Sequence, residues 1–187
     1  WFGDRSSHIP GILSTPNVTR VSPATASASP NGTGWNASSG KTAAEIVTDI
    51  GNLIEAPFRA TNGVESVDTL VMSSDEYSYL KVTKVNPGYN SDSILKSVME
   101  LHPEVTFIKV AELNDVPAVS LPVNAAAAAN VAIAFRRSDD VLRLELPLAW
   151  TQYGPQERGL GFEVPCEATT AGVIVHRPLG MATMQGI

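Results

Sequence analysis

The chain has 187 residues, a formal net charge of −6, 43% hydrophobic residues and a single cysteine. This length suits one domain, or one domain with an excursion. The lack of a Lys/Arg cluster argues against general nucleic-acid binding. A single cysteine excludes an internal disulfide and a multi-cysteine zinc site. No apolar run approaches the roughly 18 residues of a membrane span.

Residues 1–40 are rich in Gly, Pro, Ser, Thr and Asn, which predicts an extended, weakly ordered connection. Within it, residues 11–13 (GIL) are a candidate anchor that packs on the body. The first residue is Trp1, and no basic segment followed by an apolar one is present. We therefore expect no signal peptide and a longer parent protein, made in a reducing cytoplasm.

A helix is predicted after Thr42, because Thr42 and Glu45 form a capping box. Pro57 is predicted to end or kink this helix near Ala56. The helix carries one apolar stripe at helical spacing, formed by Ile46, Val47, Ile50, Leu53, Ile54 and Phe58.

Two strands and two more helices follow. Residues 67–72 predict a buried strand, and Ser73 or Ser74 caps a short helix through Tyr79, with acidic residues in its first turn. Ser91 or Ser93 caps a third helix. The second strand covers residues 105–110.

The rest of the chain predicts mainly strands. Residues 112–130 are loop-like and contain an alanine run, 125–129, which suits a helical turn or a closely packed tip. Strands are predicted at residues 131–135 and 141–146, followed by a long connection from Pro147 to Leu160. Alternation then resumes, with Phe162, Val164, Cys166 and Ala168 on the buried face, and Val173 to Val175 form the last strand. The predicted class is α+β, with helices packed on a small sheet.

For two candidate reactive sites, a structural role of the same residues is better supported than a chemical one. Lys41 lies between Gly40 and Thr42, but a phosphate-binding loop needs four residues between its glycines, and five separate Gly34 from Gly40. Cys166 and His176 suggest a thiol nucleophile and base, although a buried cysteine in a packed strand is far commoner. We predict neither a metal site nor a cofactor.

The connection after Pro147 contains a candidate subunit interface formed by Trp150, Tyr153, Gln156 and Arg158. Exposed Trp, Tyr and Arg are the residue types that anchor protein interfaces. The alternative is that these rings cover the edge of their own sheet.

The C-terminal part resembles the major capsid proteins of tailed phages with the Hong Kong ninety-seven fold. The resemblance rests on residues 149–160 (AWTQYGPQERGL), 164–166 (VPC), 168–175 (ATTAGVIV) and 177–179 (RPL). Upstream, FGD, GIL, PNV, the Thr42 helix and VDTLVMSSDEYSYL follow the family's order.

The resemblance implies a structural protein, not an enzyme, that self-assembles into an icosahedral shell around double-stranded DNA in the virion head. It implies an extended linker and anchor over 1–40, an axial α+β domain over 41–135, peripheral-domain strands with an interface loop over 136–168, and a terminal strand returning to the axial domain over 169–187. The family's N-terminal arm, extended loop and spine helix are missing from this sequence.

The implied partners are copies of the chain, together with scaffold, portal or decoration proteins, and no membrane. Two alternatives remain open at this point. One is an encapsulin-type compartment, which shares the fold, and the other is a thiol-dependent hydrolase that uses Cys166.

Overall fold

The computed structural model of the chain describes residues 3–4, 9–27, 32–36, 40–86, 92–117 and 129–187. Within these ranges there are three α-helices: α1 (Ala43–Ala60), α2 (Ser74–Val82) and α3 (Ile94–Leu101). The strands are β1 (Gly3–Asp4), β2 (Ile9–Pro10), β3 (Thr19–Val21), β4 (Thr69–Ser73), β5 (Thr106–Val110), β6 (Val131–Phe135), β7 (Leu142–Glu145), β8 (Leu148–Gln152), β9 (Gln156–Arg158), β10 (Gly161–Glu163), β11 (Cys166–Thr169), β12 (Gly172–Val175) and β13 (Met181–Gln185).

A mixed five-stranded sheet forms the centre of the fold, in the order β3-β13-β6-β4-β5. β13 runs parallel to β3 and antiparallel to β6, whereas β4 runs antiparallel to β6 and parallel to β5. A parallel pair needs a crossover connection, and α2 and α3 lie in the connection between β4 and β5. Helices on a mixed sheet confirm the predicted α+β class.

Apolar layers cover both faces of this sheet. Successive residues of a strand point to opposite faces, so Ala132 and Ala134 of β6 join one core cluster while Ile133 and Phe135 join the other. The first cluster is completed by the buried residues of α1 and α3. The second is covered by Ile12, Leu13, Val18, Leu113, Val116 and Val141. The sheet is therefore the middle layer of three.

Helix α1 confirms the predicted start and corrects the predicted end. Thr42 Oγ1 accepts from the Glu45 N–H, and Glu45 Oε2 accepts from the Thr42 N–H at 2.7 Å. The helix continues through Pro57 to Ala60, because Pro57 is buried and the Thr61 N–H reaches its carbonyl at 3.0 Å. Packing of the apolar stripe thus outweighs the one backbone bond that proline removes. Among the described residues, no helix combines the length and the apolar character that crossing a membrane requires.

Phe58, predicted on the apolar stripe of α1, is 47% exposed. The stripe that is actually buried consists of Ile46, Ile50, Leu53 and Ile54, with Val47 half-buried. The Phe58 ring lies beside Gly63 instead, where a Cβ built on that glycine would be 3.4 Å from Phe58 Cζ.

The N-terminal part is more ordered than its composition predicts. Ile12 and Leu13 are buried, which confirms the predicted anchor, and β3 joins the central sheet. Trp35 is completely buried. Residues 28–31 and 37–39 of the predicted connection lie outside the described residues.

Asp49 of α1 fastens this segment to the body. Its Oδ2 accepts from Trp35 Nε1 at 3.0 Å and from Lys41 Nζ, and its Oδ1 accepts from the Ala24 N–H at 3.0 Å. Both side chains of the Lys41–Asp49 ion pair are almost fully buried. Nearby, the Ser27 hydroxyl and then the Thr42 N–H lower the pKa of Glu45 to about 2. Two carboxylates of one helix therefore bind described residues of this segment at Ala24, Ser27, Trp35 and Lys41.

Two predictions for the second half of the chain need correction, and a third falls mostly outside the described residues. The prediction that Val173 to Val175 form the last strand is wrong, because β13 follows and lies between β3 and β6. The predicted long connection from Pro147 to Leu160 contains β8 and β9. Most of the alanine run lies outside the described residues, and Ala129 forms an antiparallel bridge with Val116.

We expect Asp49→Ala to lower the free energy of unfolding by about 3–5 kcal/mol, because it removes the carboxylate that balances the buried Lys41 charge. Urea denaturation followed by tryptophan fluorescence measures the change. The matched control is Asp92→Ala, which removes an exposed partner of Lys96 and should cost at most about 1 kcal/mol. Equal losses in the two variants would contradict the assigned role of Asp49.

Candidate functional site

Residues 142–175 form one long two-stranded ribbon that projects from the central sheet. Three antiparallel ladders follow each other along it: β7 with β12, β8 with β11, and β9 with β10. A register shift lies between Glu167 and Thr169. At the tip, Arg158 pairs with Gly161 across a two-residue turn in which Gly159 has a φ of 63°, a conformation that glycine adopts without steric cost. The predicted boundary between residues 168 and 169 falls inside β11.

Large apolar side chains of the ribbon are exposed. Trp150 is 71% exposed and Phe162 is 72% exposed. The other exposed apolar side chains are Leu144, Leu146, Leu160, Val164 and Ile174. A two-stranded ribbon alone is marginally stable in water, and contiguous exposed apolar surface marks an interaction site. The ribbon is therefore the best candidate for a binding surface among the described residues.

The four predicted interface residues all lie on this ribbon and are all exposed. Trp150 belongs to β8, Tyr153 directly follows it, and Gln156 and Arg158 belong to β9. The Tyr153 hydroxyl donates to Glu167 Oε2 at 3.0 Å, and Arg158 pairs with Glu163 at 3.0 Å. That these residues contact another subunit stays a prediction.

The second strand of the ribbon is where the sequence prediction fails. Phe162, Val164, Cys166 and Ala168 were expected on a buried face, and all four are exposed. Their alternation is real, but no third strand or helix among the described residues covers it. The turn signal at Gly159 to Gly161, between two alternating segments, could have revealed the hairpin.

The ribbon is attached to the body beside a buried carboxylate, Glu65. Glu65 Oε1 accepts from Arg177 Nη1 at 2.6 Å, and Oε2 accepts from Arg136 Nη1 at 3.0 Å. The hydrogen bond from Arg177 and then the one from Arg136 lower the pKa of Glu65. An open hollow of about 330 Å³ lies next to it, lined by Thr61, Val64, Glu65, Arg177, Pro178, Leu179 and Gly180.

The rival reactive sites do not assemble. Cys166 begins β11 and His176 directly follows β12. They are ten residues apart in one mostly extended stretch of chain, which corresponds to on the order of 30 Å. Lys41 is committed to Asp49. No cluster of three or more potential metal ligands occurs in the part of the chain that the structure describes. Of the histidines, His8 lies outside that part.

Glu76 is a second buried carboxylate, placed by the first turn of α2. Its Oε1 accepts from Asn130 Nδ2 at 2.9 Å, and its Oε2 has no hydrogen-bond partner among the described residues. Burial raises the pKa of Glu76 above its usual value of 4.5, and the neighbouring Asp75 charge adds to the increase, against the lowering by Asn130. Glu76 belongs to the fold, not to a pair of catalytic carboxylates.

We expect Glu76→Gln to remove one component of the pH dependence of stability. Because the folded-state pKa is raised, Glu76 stabilises the fold fully below pH 4.5, and this contribution is lost as the pH rises through the raised value. The free energy of unfolding of the variant should therefore exceed that of the parent at neutral pH. Urea titrations from pH 4 to pH 8 test this, with the exposed Glu55→Gln as control. A parental slope in Glu76→Gln would contradict it.

The model of the family described as "Major capsid protein" matches residues 1–187. The fold is similar to the capsid of Myoviridae phage XM1, with a TM-score of 0.69, 18% identity, and coverage of 95% of this chain and 54% of that chain. No curated protein matches the sequence.

Two further solved structures share the fold. A virus-like particle from Pyrococcus furiosus matches with a TM-score of 0.57, 14% identity, and coverage of 92% of this chain and 58% of that chain. A structure from Mycobacterium phage Che8 matches with a TM-score of 0.50 and 13% identity, and the match covers 92% of this chain and 55% of that chain. The chain thus spans little more than half the length of these structures.

Proposed function

Since the chain belongs to the major capsid protein family, we propose that it is the body of a shell subunit in the head of a tailed phage or prophage. Many identical copies would pack into an icosahedral shell around double-stranded DNA. The role is structural, and no catalytic step is assigned to the chain. Its place is the virion head, after synthesis in the bacterial cytoplasm.

The observation that carries the proposal is the exposed ribbon. At its base, Leu142, Val173 and Val175 pack against the second core cluster. Towards its tip, large apolar side chains such as Trp150, Leu160 and Phe162 are exposed. In a closed assembly the same patch recurs in every copy, so one modest interface is multiplied by symmetry. Trp150, Tyr153, Gln156 and Arg158 are the proposed contacts between subunits.

The charge supports an enclosing role instead of a DNA-binding role. A net charge of −6 and the lack of a basic cluster disfavour tight contact with phosphates. The packed DNA would then be held by confinement, without sequence recognition. Scaffold, portal and decoration proteins are further proposed partners, because a phage head needs an initiation site and an exit for its DNA.

A second candidate keeps the fold and changes the contents: an encapsulin-type compartment that encloses a protein. The likeness to the virus-like particle from Pyrococcus furiosus supports keeping it. Shells purified from the natural host discriminate between the two. Nuclease-resistant double-stranded DNA inside them supports the phage head, whereas a protein cargo without DNA supports the compartment.

In the full-length protein, we expect Trp150→Ala combined with Phe162→Ala to reduce the assembled fraction by about tenfold or more, because truncating an aromatic interface anchor costs about 2 kcal/mol or more. Both rings are exposed in the single chain, so its folding should hardly change. Sedimentation velocity and electron microscopy measure capsomers and shells.

The matched control is Val82→Ala on α2, whose side chain is 81% exposed and lies away from the ribbon. It should assemble like the parent. If the ribbon variant assembles to the same extent as Val82→Ala and the parent, the ribbon is not the interface between subunits. If the unsubstituted full-length protein stays monomeric at high concentration, the proposal of a shell subunit is wrong.

A further inference from the structure

The ribbon has two covalent connections to the central sheet, and each carries an arginine at its start. Arg136 directly follows β6 on the way into the ribbon. Arg177 lies two residues after β12 on the way out. Both guanidinium groups are about half exposed, but they converge on the two oxygens of the buried Glu65. One carboxylate therefore touches both connections at once.

We infer that Glu65 is a positioning residue that sets the direction of the ribbon relative to the central sheet. Glu65 is itself firmly placed: its N–H donates to Thr61 Oγ1 at 3.0 Å, and the Thr61 hydroxyl donates to the Pro57 carbonyl at 2.7 Å. The carboxylate is thereby fixed to the C-terminal end of α1.

A second carboxylate of the same segment supports the arrangement. Asp68 Oδ1 accepts from the Arg137 N–H at 2.7 Å, and the Asp68 N–H donates to the Phe135 carbonyl at 3.4 Å. At the base of the ribbon, the His176 N–H donates to the Val141 carbonyl at 2.9 Å. The segment from Glu65 to Asp68 thus holds both connections.

Close packing at the base of the ribbon further restricts its motion relative to the central sheet. A Cβ built on Gly180 would approach the Val141 side chain to 3.3 Å and the Glu65 side chain to 3.6 Å. A swing of the ribbon would carry one arginine away and leave a buried carboxylate with an unsatisfied oxygen, which is costly. The exposed ion pairs on the ribbon, such as Arg158–Glu163, impose no such cost.

This role is independent of shell assembly, so it is tested in single chains. Cys166 is the only cysteine and is exposed on the ribbon, which makes it a native site for a spin label. A second label at Asn52→Cys, on the exposed side of α1, reports the distance from the ribbon to the body. Pulsed electron spin resonance in an excess of unlabelled protein gives the distribution of that distance without contributions from neighbouring copies.

We expect the labelled parent to give a narrow distribution and Glu65→Ala to broaden it about twofold or more, as expected for a released hinge. Glu65→Gln, which keeps the shape and loses the charge, should give an intermediate width. Glu163→Ala is the matched control, because it removes an exposed glutamate of the ribbon and should leave the width unchanged.

Circular dichroism checks that each variant is folded. If Glu65→Ala does not fold, Arg177→Ala replaces it, because that change leaves the buried carboxylate paired with Arg136. A folded variant with the parental distance distribution overturns the inference. Broadening in Glu163→Ala to the same extent overturns it as well, since the ribbon would then be flexible for reasons unrelated to Glu65.

Discussion

A two-stranded ribbon has no covering layer of its own. This distinguishes residues 142–175 from the central sheet, which is covered on both faces. Every residue of β6 is buried, because one face of the central sheet meets the helices and the other meets the N-terminal segment. In the ribbon, by contrast, all residues of the strands β9, β10 and β11 are exposed, including Phe162. Each square ångström of apolar surface buried stabilises by about 25 cal/mol, so the ribbon retains a driving force that only another surface can release.

Three buried carboxylates hold different parts of the described chain together in different ways. Asp49 is neutralised by Lys41 and holds the N-terminal segment on α1. Glu65 is neutralised by two arginines and holds the ribbon. Among the described residues, Glu76 Oε1 accepts from the Asn130 amide and Oε2 has no hydrogen-bond partner, and burial is the main cause of its raised pKa. Glu65 and Glu76 are both buried, but hydrogen bonds from two arginines lower the pKa of Glu65, whereas burial raises the pKa of Glu76 and only the Asn130 amide opposes it.

Local patterns in the sequence predicted the elements that depend on local interactions. The capping box at Thr42 and the strand before Ser73 follow from neighbouring residues and were correctly predicted. β13 was missed because its sequence, MATMQ, lacks β-branched alternation, and its burial comes from β3 and β6 on either side. The burial of Trp35 likewise depends on Asp49, which lies fourteen residues away. Pairings of this kind leave no local signature.

The candidate interface was predictable in its residue types but not in its geometry. Trp150 and Tyr153 stand out in a connection, whereas the exposure of Phe162 depends on the absence of a covering layer in the described chain, which no local pattern reveals. Glu65, flanked by small and apolar residues, gave no signal at all, because both of its partners are more than seventy residues away.

How firmly the ribbon is attached decides how useful its exposed surface is. A ribbon that swings freely would lose that freedom when it docks, and the lost entropy would subtract from the free energy gained by burying Trp150 and Phe162. Two arginines on one buried carboxylate restrict the motion before any contact forms. The exposed apolar strands and the ion pairs of Glu65 with Arg136 and Arg177 are therefore complementary. The apolar strands supply the attraction between copies. The ion pairs allow every copy to present its ribbon at the same angle, which a closed symmetric assembly requires.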